Sequence, residues 1–177
     1  VEEENEYIPP GIHIEISESI ENSPYKKEIN KGINRIKRFL QKELSIGEIY
    51  EKIVREIEEE SFSYESFGKV GYGPNSVTIR LTMKSFAEEL YKDFPYKPFG
   101  IAMGNKVVIS IKNILDKATN YDVSEIIERI AQHELWHVAG GEDDFYSKGI
   151  ANPYLTYKIN KNEKRRIKER ILGIISE

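Results

Sequence analysis

The sequence predicts an α+β domain. Three stretches alternate apolar and polar residues with a period of two, and four others repeat their apolar residues at helical spacing. Length bounds the answer: 177 residues suit one domain with a sizeable core, or two small subdomains around a cleft.

The elements follow in chain order. Residues 1–10 read as a flexible acidic lead: four of the first six are Glu, and Pro9-Pro10 close it. Over 11–16, Ile12, Ile14 and Ile16 fall on one side and His13 and Glu15 on the other. That is a half-buried strand with His13 as an exposed polar residue. Beyond Pro24, the spacing of Ile29, Ile33, Ile36 and Leu40 predicts an amphipathic helix over 25–42. Ser45 is a fair N-cap and Glu48 completes a capping box, so a second helix is expected to about residue 60, carrying Ile46, Ile49, Ile53 and Ile57.

Residues 61–70 are rich in Phe and Tyr and read as extended, and 71–75 as a turn. Val77, Ile79 and Leu81 mark a strand over 76–82, and 84–93 reads as a short helix. Pro95, Pro98, Gly100 and Gly104 mark a loop, after which Val107, Ile109 and Ile111 give a third strand over 106–111. Asp122 or Ser124 caps a helix running to about Ala139. An irregular stretch leads to a last helix over 160–174, with Ile167, Ile171 and Ile174 inward. There is no internal repeat, low-complexity tract or linker.

Composition removes several classes of function. The net charge of −4 offers no basic field to nucleic acid. The basic run over 161–170 reads as the solvated face of the last helix. With no cysteine, disulfides, thiolate zinc sites, thiol nucleophiles and a cysteine latency switch are all excluded. No apolar run approaches the roughly 18 residues of a membrane span. The abundance of Ile, Lys and Glu leans towards a thermophile. With 32% charged residues the chain is expected to be soluble, and its start at Val1 rather than Met leaves open whether it is cytoplasmic or secreted after N-terminal trimming.

The chemistry concentrates at His133-Glu134-Leu135-Trp136-His137. Two histidines four apart on a helix share a face, one turn apart, and can grip one metal ion. Glu134 can sit beside that ion and take a proton from water, the His-Glu-x-x-His logic of zinc peptidases. It also falls inside the apolar stripe of Val123, Ile127, Ile130 and Val138, where a carboxylate is costly unless something favours its charge. The plain alternative is two ordinary histidines. Only three exist in the chain, however, and two fall at ligand spacing. Gly140 can end the helix in a left-handed turn, so that the chain reverses and Asp143 arrives as third ligand. Glu163 or Glu169 on the last helix are the alternatives. Two imidazoles and a carboxylate suit zinc, though cobalt, nickel or manganese fit the same set.

His133, Glu134, His137, Gly140 and Asp143 together resemble the extended motif of the metzincin clan of zinc endopeptidases, in the aspartate variant of the snapalysin-like enzymes. The resemblance covers about 105–175. It implies a zincin-like fold: a small mixed sheet with a backing helix and an active-site helix above a cleft, over 1–139, and a short lower subdomain with a C-terminal helix, over 140–177. It implies Zn2+ on His133, His137 and Asp143, with Glu134 as catalytic base. The implied partner is a peptide or protein substrate, extended along strand 106–111 as the edge.

Metzincins set a methionine-containing turn beneath the metal. Residues 147–154 look like that turn with Ala151 in the methionine's place, which implies a smaller floor. Tyr154 stands one residue late from the family position whose phenol assists the oxyanion, and is the candidate helper. Tyr146 and Tyr157 are further candidates, with packing as their plain alternative. The first hundred residues carry no family motif. Of the two helices expected there, one would back the sheet and the other would belong to an inserted or latency segment. The alternative function is therefore a latent or non-catalytic zinc-binding module, and behind it a metal-free helical interaction domain. Oligomeric state leaves no mark in the sequence.

Overall fold

The computed structural model describes residues 7–117 and 122–176. The acidic stretch 1–6 of the expected lead lies outside them. In chain order the elements are β1 (Gly11–Ser17), α1 (Glu18–Glu21), α2 (Lys26–Arg38), β2 (Ile49–Val54), β3 (Ser61–Phe62), α3 (Tyr64–Gly68), β4 (Ser76–Thr82), β5 (Ser85–Phe86), β6 (Gly100–Met103), β7 (Lys106–Ser110), α4 (Ile111–Lys117), α5 (Val123–Val138) and α6 (Lys161–Ile175).

Five strands form a mixed sheet in the order β2-β1-β4-β7-β6. The first four run parallel and β6 runs antiparallel to β7. The register stacks Ile12, Ile14 and Ile16 beside Val77, Ile79 and Leu81, and Ile79 and Leu81 beside Val107 and Ile109. This apolar face is fully covered, chiefly by the isoleucines of α2, α5 and α6. Each such side chain contributes roughly 1.5–3 kcal/mol by leaving water. The opposite face carries a smaller core of Phe62, Phe67, Val70, Phe86, Leu90, Ile101 and Val108. Among the described residues no helix is long and apolar enough to cross a membrane.

Several expectations are corrected. The second N-terminal helix is absent. Ser45 takes a left-handed φ of 56°, and 49–54 is the outer strand β2, with Ile49 and Ile53 opposite Ile12 and Ile16. Residues 45–60 therefore supply no helix as a latency segment. Residues 61–70 are extended only at β3 and then turn into α3, capped reciprocally by Ser63 and Ser66. Over 84–93 there is only β5 and a single 3-10 turn, Glu88–Leu90.

The loop expected over 95–104 contains β6. Strand 106–111 is accordingly not the edge: β7 is interior and β6 lies outside it, while Ile111 opens α4. His13 is buried, at 8% exposure, because β1 has strands on both sides and the rings of Tyr50 and Tyr72 pack against it. Its Nε2–H donates to the Pro9 carbonyl at 2.8 Å, and its ring stacks on Tyr50.

Candidate metal centre

Helix α5 presents the motif. Asp122 caps it, accepting from the Ser124 N–H at 3.0 Å. At the other end Gly140, at φ 87°, closes it with a full Schellman pair: Gly141 N–H to the Trp136 carbonyl at 2.8 Å and Gly140 N–H to the His137 carbonyl at 2.9 Å. The reversed chain carries Asp143 back to the helix.

Three ligand atoms converge there. His133 Nε2 and His137 Nε2 stand 3.2 Å apart, and Asp143 Oδ1 lies 3.0 Å from the first and 2.9 Å from the second. Among the described residues these three could hold one metal ion. Nitrogen and oxygen ligands about 2.0–2.1 Å from a tetrahedral ion stand roughly 3.3 Å from one another, close to the spacing here.

The donor set fits a cation for a chemical reason. His133 Nδ1 lies 2.6 Å from the Ile150 carbonyl, and His137 Nδ1 lies 2.9 Å from the Gly141 carbonyl. A carbonyl oxygen only accepts, so Nδ1 carries the hydrogen on both rings. In the neutral rings both Nε2 lone pairs then face each other and a carboxylate oxygen. Three acceptors aimed at one point call for a positive charge between them. Protons answer the same demand. Burial works most strongly against charge on both rings, but the hydrogen bond to Asp143, the nearby Glu134 charge and the carbonyl partners together outweigh it, raising His133 and pushing His137 up to about 9. Hydrogen bonds from the same two rings hold Asp143 far below the ordinary carboxylate range.

Glu134 lies beside the group at 6% exposure. Burial pushes its carboxyl up, Asp143 pushes further, and the two histidines pull it down. Strand β6 passes directly over it. A Cβ at Gly100 would stand 2.6 Å from Ile130 Cγ2 and 3.0 Å from Glu134 Cγ, so only glycine lets strand and helix approach this closely.

His133, Glu134, His137 and Asp143 open onto a cavity of about 750 Å³. One wall is the segment from Phe94 to Ala102, and the other includes Tyr154 and Leu155. Tyr154 is 70% exposed and meets Phe145 edge to face. Leu155 holds a left-handed φ of 59°, its carbonyl accepting from Arg129 Nη1 at 2.8 Å.

The structure thus brings Tyr154 to the cavity with the metal group. Tyr146, Tyr157, Glu163 and Glu169 are not among the cavity's lining. Tyr146 is 96% exposed, and Glu169 pairs with Arg165. Glu163 is buried among backbone N–H groups. Sequence reasoning missed Tyr96, which faces the site from the opposite wall. Burial first, then the charges of Asp143 and Glu134, raise its phenol to about 12. The aromatic and proline cluster Phe94-Pro95-Tyr96 was the available signal. Residues 149–152 form a tight turn, Asn152 N–H to the Gly149 carbonyl at 3.2 Å, whose Ile150 carbonyl is the acceptor for His133.

Several solved structures resemble this one. An archaemetzincin from Methanopyrus kandleri matches with a TM-score of 0.65 at 14% sequence identity, over 93% of this chain and 96% of that one. A zinc-dependent peptidase from Methanocorpusculum labreanum matches at 0.58 and 14%, over 89% and 100%. Metalloproteinase-II from Bacteroides fragilis matches at 0.54 and 14%, over 92% of this chain and 53% of that longer one. The chain has the fold of these peptidases. No protein-family model matches it, and no curated protein matches it in sequence. At 14% identity the likeness is one of fold, and the chemistry rests on the residues described above.

Proposed function

We propose that the chain is a zinc-dependent endopeptidase, an aspartate-ligand relative of the metzincins. The observation that carries this reading is the convergence of His133 Nε2, His137 Nε2 and Asp143 Oδ1 within 3.2 Å of one another, with Glu134 buried alongside. These three residues would hold the ion. Bound there, zinc would polarise a peptide carbonyl and make water acidic enough to ionise near neutral pH.

The chain's own residues do the rest. Glu134 accepts a proton from the attacking water and returns it to the departing amine nitrogen. Its apolar surroundings beneath β6 support that role, because burial brings a carboxylate closer to the pKa a general base needs. The outer edge of β6 has no neighbour in the sheet among the described residues, and Gly100, Ile101 and Ala102 line the cavity. An extended substrate would pair there by strand addition. Tyr154 would lend its phenol to the oxyanion from the lower side, and residues 1–139 and 140–177 act as the upper and lower parts of the cleft. The turn holding Ala151 would take the part of the methionine-containing turn of metzincins.

The test is metal-dependent cleavage of an unfolded protein at elevated temperature, in keeping with the Ile-, Lys- and Glu-rich composition. Chelation should abolish cleavage and zinc should restore it, while His137→Ala should neither bind zinc nor cleave. Cleavage that persists in chelated His137→Ala would overturn the proposal.

A further inference from the structure

Glu163 is nearly fully buried, at 3% exposure, on the first turn of α6. Its spacing from Asn160 is that of a capping box, and the box is complete: Asn160 Oδ1 accepts from the Glu163 N–H at 2.8 Å, and Glu163 Oε1 accepts from the Asn160 N–H at 2.9 Å. A cap needs no more than that. Yet the same carboxylate accepts two further N–H groups from a distant loop, Ile150 at 2.8 Å through Oε1 and Ala151 at 2.9 Å through Oε2. A Cβ at Gly149 would stand 2.4 Å from Glu163 Oε1, so the turn closes on the carboxylate as tightly as glycine permits.

The peptide group joining Ile150 to Ala151 therefore has a carboxylate on its N–H and His133 Nδ1 on its carbonyl, 2.6 Å away. A negative charge on the amide side polarises the peptide and strengthens its oxygen as an acceptor. A stronger acceptor fixes the ring and makes its other nitrogen a better ligand. The Ala151 carbonyl in turn accepts the Asp144 N–H at 3.0 Å, which holds the residue next to Asp143. Two of the three converging side chains thus lean on the turn that Glu163 holds.

We propose that Glu163 is a positioning residue of the metal centre. Through the Ile150–Ala151 peptide it orients His133, and through Ala151 it anchors the segment bearing Asp143, so that it sets the site's affinity for zinc without ligating it. This rests on the reading of His133, His137 and Asp143 as a zinc site.

The test is zinc affinity, by chelator competition, of the full metal-free chain as wild type, Glu163→Gln and Asn160→Ala, each confirmed folded. Glu163→Gln should weaken zinc binding about 10–100-fold, the usual effect of losing an outer partner of a ligand. Asn160→Ala loosens the same helix start and removes only the packing of Asn160 Nδ2 on Gly149, leaving both turn N–H bonds to Glu163, and should stay within about threefold of wild type. Equal affinity for wild type and Glu163→Gln would overturn the inference, and so would an equal loss in both variants. Wild type that binds no zinc would overturn the metal site itself, which distinguishes that failure from the other two. Amide exchange of the zinc-free wild type needs no variant to fold. The Ile150 and Ala151 N–H groups should be protected before zinc is added, and free exchange at both would refute the positioning role.

Discussion

Replacing Gly100 with alanine puts a methyl group between the outer strand β6 and helix α5, which carries Glu134. The methyl would stand 2.6 Å from Ile130 Cγ2 and 3.0 Å from Glu134 Cγ. Carbon atoms settle at about 3.5–4.0 Å, so roughly 1 Å of overlap must be relieved. Ile130 is fixed in the core and Gly100 is paired to Ile109 in the sheet. The overlap is therefore shared between a displaced strand and a displaced Glu134. Overpacking of this kind costs about 1–3 kcal/mol. In a domain of this size each 1 kcal/mol moves Tm by about 2–4 °C, giving a fall of about 2–12 °C. A general base misplaced by about 1 Å loses on the order of 10²-fold in rate. Zinc affinity should hold, because neither β6 nor Ile130 contributes a ligand. Thermal unfolding, peptide cleavage and chelator competition on one preparation separate the three effects. Gly100→Ala that cleaves at the wild-type rate with an unchanged Tm would refute the account of why glycine stands there.

Two further predictions concern protons. Zinc and protons compete for the same two Nε2 atoms, and in the metal-free chain burial opposes charge on His137 but the Asp143 hydrogen bond, the Glu134 charge and the Gly141 carbonyl together push it up to about 9. Zinc affinity should therefore fall steadily as pH drops from about 9 to 6, with proton release on binding, and a pH-independent affinity measured by competition would contradict the donor set.

Glu56 gathers the ends of three parallel strands, accepting from the Ser17, Ser19 and Thr82 hydroxyls and the Met83 N–H at 2.6, 2.7, 2.7 and 3.0 Å. Burial raises its pKa, but these bonds together lower it below 4.5. The folded value lies below the unfolded one, so the stabilisation is present above 4.5 and is lost as pH falls through the folded value. Glu56→Gln should cost about 1–3 kcal/mol at neutral pH and flatten the acid limb of the stability curve, read by denaturant titration at several pH values. A variant as stable as wild type at pH 7 would contradict it.

What could be read in the sequence was local. The apolar period of Ile127, Ile130 and Val138 reports the face of α5, Asp122 sits at its cap, and Gly140 takes the left-handed turn its position suggested. What could not be read was tertiary. Strand β2 is an outer strand whose residues are mostly exposed, so no inward alternation marks it, and Ile46, Ile49 and Ile53 happen to fit a helical spacing. Strand β6 is short and contains Gly100 and Ala102, which have little strand signal of their own. His13 alternates correctly, yet is buried because its strand is interior. Carbonyl partners such as Ile150 and Gly141 leave no side-chain trace. In the sequence Glu163 reads only as an alternative ligand, and its hold on the 149–152 turn exists only once the chain is folded.

The most direct measurement compares zinc-loaded wild type with Glu134→Gln on an unfolded protein substrate, with zinc content determined for both. The account predicts that both carry zinc and that only the variant loses cleavage, by roughly 10²-fold or more. Glu134→Gln that carries zinc and cleaves at the wild-type rate would contradict it.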